Sequence, residues 1–529
     1  MAIDPVQYAR RWKTLGVLSL SLVIIGLDNT ILNVALPTLQ DHFHASASRL
    51  QWMVDAYMLV FAGLLLVFGT LGDRFGRKLA LQTGVSIFGL ASLAAPFAAS
   101  AGQLIAVRAG MGVGAALIMP ATLSIIANVF TGEERGKAIA VWAALAAVGI
   151  GLGPLAGGLL LQWFSWWSVF MVNVPFAALA LVLGIRLVPD SRDPHPGSFD
   201  LLGAALSTGG FTVLVYAIIE APSKGWSSAL VLGSLAVSVV LLVTFLLWEH
   251  RSAEPMLDLS FFRNASFSVG TASVSIAFFG LMGGAFGLTQ YLQFAHGYSA
   301  IQAGAIMSSM ALGLMLGSGS SSKAVARLGA SRVIAAGLTG LAGLLAVPLL
   351  WDASTGALVL VVWFFGLTLT MGWAMAPATA AVIGAVPAAK SGVASATNTV
   401  ARMVAGALGV AVIGSLVSSL YSNDVGGKLD VLPVGAQAQA ESSVGAASAI
   451  ATHLPPDVAS HVLAVSGEAF TQAMGYGLLV GAVCAATAAV LVLRFLPARE
   501  AHEAAPEVLE PVAQGRAALQ SPTRGGAQA

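Results

Sequence analysis

Fourteen apolar runs dominate the chain, at residues 14–36, 51–71, 79–99, 104–129, 138–161, 168–188, 201–219, 228–248, 266–290, 301–322, 332–350, 357–383, 392–420 and 471–496. A bilayer core about 30 Å thick takes about 20 residues of helix to cross. Inside it no water satisfies the backbone, so a spanning run closes its own hydrogen bonds as a helix. Composition agrees: 57% of the 529 residues are hydrophobic and only 9% are charged. Soluble domains carry about 25% charge. Mean hydropathy is +0.85. The expectation is an all-α integral membrane protein with 14 transmembrane helices.

The charges set the orientation. With the N-terminus inside, the cytoplasmic segments hold Arg10, Arg11, Lys13, Arg74, Arg77, Lys78, Arg135, Lys137, Arg186, Arg192, Arg251, Arg263, Lys323, Arg327, Arg332, Lys390, Arg494, Arg499, Arg516 and Arg524. The outer segments hold only Arg49, Lys224 and Lys428. Twenty against three is a strong positive-inside bias, and an even helix count puts both termini in the cytoplasm. The remaining two cations, Arg108 and Arg402, fall inside apolar runs. Net charge of +1 gives no reason to expect a nucleic-acid partner. A single cysteine, Cys484, excludes an internal disulfide. The first apolar run is long and leads straight into the helix series, so no cleavable leader is expected. An excess of Arg over Lys, with abundant Ala and Gly, suggests a GC-rich bacterial source.

The basic turn at residues 69–78, Gly-Thr-Leu-Gly-Asp-Arg-Phe-Gly-Arg-Lys, joins runs 2 and 3. Gly69, Gly72 and Gly76 allow two helix ends to approach closely. Arg74, Arg77 and Lys78 cannot sit in hydrocarbon and mark a cytoplasmic end. Asp73 can pair with a cation or cap a helix. A weaker echo, Ala326-Arg327-Leu328-Gly329 with Arg332, follows run 10. Such internal symmetry suits a transporter built from two related bundles. The expected organisation is a cytoplasmic N-terminus (1–13), a six-helix bundle (14–188), two extra helices with flanking loops (189–250), and a second six-helix bundle (251–496) with an outer loop at 421–470 that holds either short amphipathic helices or little fixed structure. A disordered cytoplasmic tail, 497–529, follows.

Polar residues inside the runs are candidates for function. An Asp in a spanning helix costs on the order of 2.5–3.5 kcal/mol, so Asp28 is compensated or useful. It is either tied down for structure or a protonatable carboxylate on a transport path. Asn29 and Asn33 share one helix face near it. Counting about 1.5 Å of rise per residue puts Asp28, Asp55 and Arg108 in one layer of the membrane. Two acids and an arginine at one depth suit proton coupling, although Asp55 also suits an interfacial position. Gly149, Gly153 and Gly157 recur every four residues in run 5 and make a packing groove. Pro154 and Gly158 beside them add a bend and a pliable hinge. Run 13 carries a polar stripe with Asn398 and Arg402, and Arg402 either bonds backbone carbonyls or meets cargo. Trp373 and Met375 in run 12 offer adaptable apolar surface to a cavity or to neighbouring helices.

These motifs resemble the major facilitator superfamily, in particular its fourteen-helix drug:proton antiporter branch of the EmrB/QacA type. Leu27 to Pro37, Gly69 to Lys78, Arg108 to Ala116 and Gly149 to Gly158 carry the resemblance, which covers about residues 12–496. Trp166, Phe170, Asn173 and Pro175 fit the continuation, as do Gly392 to Ser395 and Gly406 to Ala411. The resemblance implies two bundles rocking around a central cavity, with proton coupling at Asp28, Asp55 and Arg108. It implies a cytoplasmic latch at Gly69–Lys78 and a substrate cavity lined by Asn29, Asn33, Trp373, Met375, Asn398 and Arg402. It implies a monomer in the cell inner membrane that exports an amphipathic or lipophilic compound (a drug, antibiotic, lipid or secondary metabolite), driven by the proton gradient without a cofactor or metal. Two departures matter. Trp166-Trp167-Ser168 stands where the family often has Trp-Arg-Trp. No acid lies in runs 10 or 13, which leaves neutral, amphipathic or anionic cargo open. The alternatives are an importer or facilitator of one metabolite, and a membrane enzyme or receptor. No nucleophile–base constellation, metal cluster or phosphate loop supports an enzyme.

Overall fold

A computed structural model describes residues 5–130, 132–192, 200–252, 255, 257, 259–352, 354–386 and 391–496. Among the described residues there is no strand. Thirteen helical segments there are long and apolar enough to cross a membrane. A further long helix, α5 (Gly132–Trp163), has 32 residues, with its apolar stretch at Val148–Trp163.

The first group comprises α1 (Pro5–Phe43), α2 (Ala47–Phe75), α3 (Arg77–Ala94), α4 (Ala101–Val129), α5, the short α6 (Ser168–Met171) and α7 (Asn173–Leu187). Local chemistry sets the breaks. Ser46 accepts the Arg49 N–H to start α2, and Ser100 accepts the Gln103 N–H to start α4. Gly76, at φ +126°, ends α2 and lets α3 begin at the next residue. Within this group α1 packs against α5 and α7, and α4 against α2 and α3.

A hairpin follows, α8 (Leu201–Lys224) and α9 (Ala229–Arg251), capped by Asp200 and Ser228. The second group is α10 (Ala265–Gln290), α11 (Ala300–Met307), α12 (Ser309–Leu328), α13 (Ala330–Ala346), α14 (Ala357–Gly384), α15 (Ser391–Val425), α16 (Val434–Ser442), α17 (Val444–Ala451) and α18 (Pro456–Phe495). Helices α11 and α12 together make one span, Ala300–Leu328. Gly329, at φ +84°, separates α12 from α13 as Gly76 separates α2 from α3, so the sequence echo is also an echo of backbone geometry.

Burial orders the helices from centre to edge. In α1 78% of the most apolar stretch is buried, and in the α10 span 72%. In α9 it is only 17%, the signature of a helix that faces lipid. The hairpin covers the seam between the groups, since α8 packs on both α2 and α15.

Two expected boundaries move. Helix α1 begins at Pro5, so the N-terminal segment 1–13 is helical over its described part. The expected outer loop 421–470 is shorter, because α15 runs to Val425 and α18 starts at Pro456. The first turns of α18 bury Val462, Ser466, Gly467, Ala469 and Phe470 while Ser460, His461 and Glu468 face outward, a half-polar pattern without a long apolar run. At 40 residues α18 is about 60 Å long, twice the hydrocarbon core. Residues 497–529, the expected tail, lie outside the described residues.

The face carrying residues 69–78 is called the basic face below, and the face carrying 426–455 the loop face. Hydrogen bonds join the two groups in the half nearer the loop face. Gln40 Nε2 donates to Ser443 Oγ at 2.8 Å, and Gln293 Nε2 to the Val34 carbonyl at 2.9 Å.

Candidate functional site: a buried ion pair and the helix seams around it

The strongest electrostatic feature lies inside the first group. Arg108 of α4 pairs with Asp28 of α1, Nη1 to Oδ2, at 2.5 Å. Their side chains are 2% and 1% exposed. An unpaired charge at this depth would be prohibitive, so each ion is the other's condition for being there. Further partners complete the pair. Arg108 Nε donates to the Met53 carbonyl at 3.0 Å, and its guanidinium lies 4.5 Å from the centroid of the Tyr57 ring. Asn173 Nδ2 donates to Asp28 Oδ1 at 3.4 Å and reaches Ser92 Oγ at 3.5 Å. Five helices thus converge on one carboxylate and one guanidinium. Gly112 makes this possible, because a Cβ there would come within 2.7 Å of the Tyr57 carbonyl. Glycine there lets α4 lie close enough to α2 for Arg108 to meet the Met53 carbonyl and the Tyr57 ring.

Asp55 is not part of this cluster. It sits on α2 at a similar depth, but about 200° around the helix from both Met53 and Tyr57. Its neighbours four residues away, Gln51 and Leu59, face α15 and a cavity beside α8. Asp55 is fully buried, and neither carboxylate oxygen has a hydrogen-bond partner among the described residues. Depth put it in the same layer as Asp28, whereas helix phase turns it toward the other group.

In the basic turn, Arg77 Nε pairs with Asp73 Oδ1 at 2.6 Å. The Arg77 N–H donates to the Ser191 carbonyl at 2.8 Å, and Lys78 Nζ to the Ile185 carbonyl at 2.9 Å. Arg74 lies 5.9 Å from the Phe75 ring centroid. Gly72 faces Ala80, and Gly69 faces Pro120. These contacts fasten the ends of α2, α3, α4 and α7 to one another, all within the first group.

The glycines of α5 divide by face. A Cβ on Gly149 would meet the Val23 carbonyl at 2.6 Å, one on Gly153 the Leu27 carbonyl at 2.9 Å, and one on Gly157 the Ile31 carbonyl at 3.1 Å. All three seat α1. Gly158 faces the second group instead, 2.6 Å from the Ala300 carbonyl by the same measure. Pro154 has no N–H to give Ile150, four residues earlier. That carbonyl is satisfied from outside, by Thr30 Oγ1 of α1 at 2.8 Å.

Between α1, α5, α10, α11, α12 and α14 lies a small gap of about 30 Å³. Thr30, Asn33 and Pro154 line it with Met282, Met307, Met310 and Met371. Of the expected cavity residues only Asn33 is here. Asn29 Nδ2 donates to its own helix, at the Ile25 carbonyl, 2.7 Å away. Trp373 Nε1 donates to Ser320 Oγ at 2.9 Å, on the α12 side of α14, and Met375 packs half-buried against the core. Asn398 is buried, and its Oδ1 has no hydrogen-bond partner among the described residues. Arg402 lies with its guanidinium 5.2 Å from the Phe278 ring centroid, its buried Nε without a partner among the described residues. Tyr57, Ser92 and Asn173 around the ion pair were not singled out as site residues. Asn173 and Tyr57 lie beside the recognisable motifs, but Ser92 carries no signal. Among the described residues no three His, Cys, Asp or Glu side chains are placed to hold a metal.

Comparison with known proteins fits this architecture. Residues 18–410 match the profile of the Major Facilitator Superfamily. The multidrug efflux pump LfrA of Mycolicibacterium smegmatis is 36% identical over 484 residues, 91% of this chain and 96% of that protein. The tetracenomycin C resistance and export protein of Streptomyces glaucescens is 32% identical over 511 residues, 94% of each chain. The methyl viologen resistance protein SmvA of Salmonella typhimurium is 36% identical over 476 residues, 87% of this chain and 93% of that one. Among solved structures, an inward-facing, occupied bacterial homologue of the human lysosomal transporter Spinster superposes with a TM-score of 0.64 at 17% identity, covering 93% of this chain and 98% of that one. The peptide transporter POT in complex with sulfate gives 0.61 at 15% identity, covering 91% and 95%. With two related helical groups, the glycine-phased turns between their helices and this breadth of similarity, the chain belongs to the major facilitator superfamily, alongside its multidrug efflux pumps.

Proposed function

We propose that the protein exports a small amphipathic or lipophilic compound from the cytoplasm in exchange for protons, by alternating access of its two helical groups. The kinship with efflux and resistance proteins supports export. The observation that carries proton coupling is the buried Asp28–Arg108 pair. A carboxylate in a spanning helix is a functional site by default, and here its partner is known. A proton arriving at Asp28 neutralises it, breaks the charge pair and frees Arg108 to shift against Tyr57 and the Met53 carbonyl. Loss of the proton restores the pair. Cargo release outward is tied to the first step and return to the second.

In this reading the basic face is cytoplasmic, as the twenty-to-three distribution of cations favours, and both termini lie inside. The ties Gln40–Ser443 and Gln293–Val34 then close the outer end. The contacts of Asp73, Arg77 and Lys78 hold the cytoplasmic ends of the first group as one unit. The methionine-lined gap beside Asn33 is where the cavity widens for cargo. Asp55 is a second carboxylate whose surroundings change when α2 and α15 separate. The protein works as a monomer in a bacterial inner membrane, with the proton gradient as its only energy source.

The test is proton movement in everted vesicles carrying an established ΔpH. Methyl viologen, tetracenomycin C and a neutral amphiphile are added in turn. Dissipation by one of them with the wild type, and none with Asp28→Asn, is the expected result. Accumulation of a solute into cells through the protein, with no cargo dissipating ΔpH, would instead establish import.

A further inference from the structure

A second cavity, of about 430 Å³, lies apart from the ion pair and from the methionine-lined gap. It occupies the seam between α2 of the first group and α15 of the second, and the α8–α9 hairpin forms its outer wall. The cause is visible in the hairpin. Near the loop face α8 is fastened to both groups at adjacent carbonyls. Ser48 Oγ donates to Ile219 at 3.2 Å, and Ser415 Oγ to Ile218 at 2.8 Å. Toward the basic face no further hydrogen bond of this kind joins α8 to α2 or α15 among the described residues. There α15 presents Ala401 and Ala405, too small to fill the space opposite Leu59 and Phe211.

The lining is almost wholly hydrocarbon. Thr208 and Thr397 contribute to the lining, but their hydroxyl oxygens are buried and have no hydrogen-bond partner among the described residues. Apolar cavities of this kind stay dry, and their size suits an apolar ligand. The mouth opens at the basic-face end, where Leu246 and Phe262 line the cavity while remaining 47% and 40% exposed. Exposed cations, Arg251 and Arg263, follow these two residues in sequence. Trp248, 41% exposed, stands beside them at the level typical of interfacial tryptophan. Two acids among the described residues nearby already have partners. Asp200 accepts from Trp248 Nε1 at 2.7 Å and caps α8, and Glu249 accepts the Leu257 N–H at 3.0 Å.

We propose that this cavity holds one acyl chain of an anionic phospholipid drawn from the leaflet at the basic face, with its phosphate at Arg251 and Arg263. Basic residues at the end of a membrane helix attract anionic headgroups, and the apolar bore behind them takes the chain. The chain fills a seam whose two sides belong to different groups, so the lipid is a wedge between parts that move. The assignment holds whichever way cargo travels.

The experiment uses the full-length protein in lipid nanodiscs containing phosphatidylglycerol with a diazirine in mid-chain. After irradiation, adducts are mapped by peptide mass spectrometry. Adducts in 59–66, 207–211 and 397–408 are expected. Ala401→Phe and Ala405→Phe, which fill the bore, should remove these adducts. Labelling of the exposed α9 residues Val239, Val240 and Val243 should stay unchanged, which also reports an intact fold. Arg251→Gln with Arg263→Gln should lower seam labelling to the level seen with phosphatidylcholine of the same chain. Adducts confined to exposed helix faces would overturn the proposal. So would equal seam labelling by the two headgroups, and so would seam adducts that disappear under saturating methyl viologen or tetracenomycin C.

Discussion

At the scale of single residues, burial divides the polar groups into those that hold the fold and those that stand ready for another state. Arg108 does the first. It meets Asp28, the Met53 carbonyl and the Tyr57 ring at once, a combination that needs a planar fork. Arg108→Ala leaves Asp28 buried without its counter-charge and should destabilise the protein by about 3–5 kcal/mol. Arg108→Lys keeps the charge but loses the fork and the stacking, and should fall between alanine and wild type. Thermal unfolding in detergent, read by tryptophan fluorescence, orders the three. Equal stability of all three would remove the pair from the foundations of the fold. Asp55 has no hydrogen bond to lose among the described residues. Asp55→Asn should leave the melting temperature near wild type, whereas a large drop would reveal a partner. Counting residues put Asp28 and Arg108 in one layer together with Asp55, and helix packing then selects Asp28 as the partner of Arg108. Asp55 could not be sorted, because depth follows from counting residues whereas the facing neighbour depends on helix phase and on which helix packs there.

At the scale of helices, small residues and proline set the distances that the ion pair requires. The α1–α5 contact combines a row of three glycines, the Arg11–Glu134 ion pair at one end, and a hydrogen bond from Thr30 at the carbonyl that Pro154 leaves free. Thr30→Val keeps the shape and removes the donor, which should cost about 1–3 kcal/mol for a buried carbonyl left unpaired. Pro154→Ala restores the helical N–H, and in that background Thr30→Val should cost much less. The double-mutant cycle measures the difference, and additive effects would show that Thr30 acts by packing alone. Gly158 works across the groups. Gly158→Val would collide with the Ala300 backbone and force α5 from α11, so spin-label distances across the loop face should lengthen. An unchanged distance would mean that α11 yields instead. The glycine spacing was plain in the sequence, and so were the fourteen runs, since hydrocarbon demands long apolar helices with special residues at their breaks. The methionine-lined gap was not, because Met282, Met307 and Met371 come from three helices whose meeting no local pattern encodes. Short amphipathic helices within 421–470 were open in the sequence, but not the start of α18 at Pro456, because a half-polar helix carries no long apolar run.

For the whole molecule, the groups are joined by hydrogen bonds near the loop face, while a cavity occupies their seam toward the basic face. Alternating access requires those ties to break once per cycle. Gln40 Nε2 and Ser443 Oγ, 2.8 Å apart, lie at the outermost tie and join α1 to the short α17 segment rather than to a spanning helix. A covalent bridge there tests whether that segment is a passive cover or part of the seal. With the native Cys484 replaced by serine, Gln40→Cys and Ser443→Cys would be joined by a short homobifunctional methanethiosulfonate. If the seal must open, cross-linked protein should lose cargo-dependent ΔpH dissipation and regain it on reduction, while either single cysteine variant keeps it. Reagent reactivity should also require the side facing the medium in whole cells, which fixes the loop face as the outer one. Full activity after complete cross-linking would mean that α17 travels with α1, and that the opening lies instead between α5 and α11, where Gly158 and Ala300 meet.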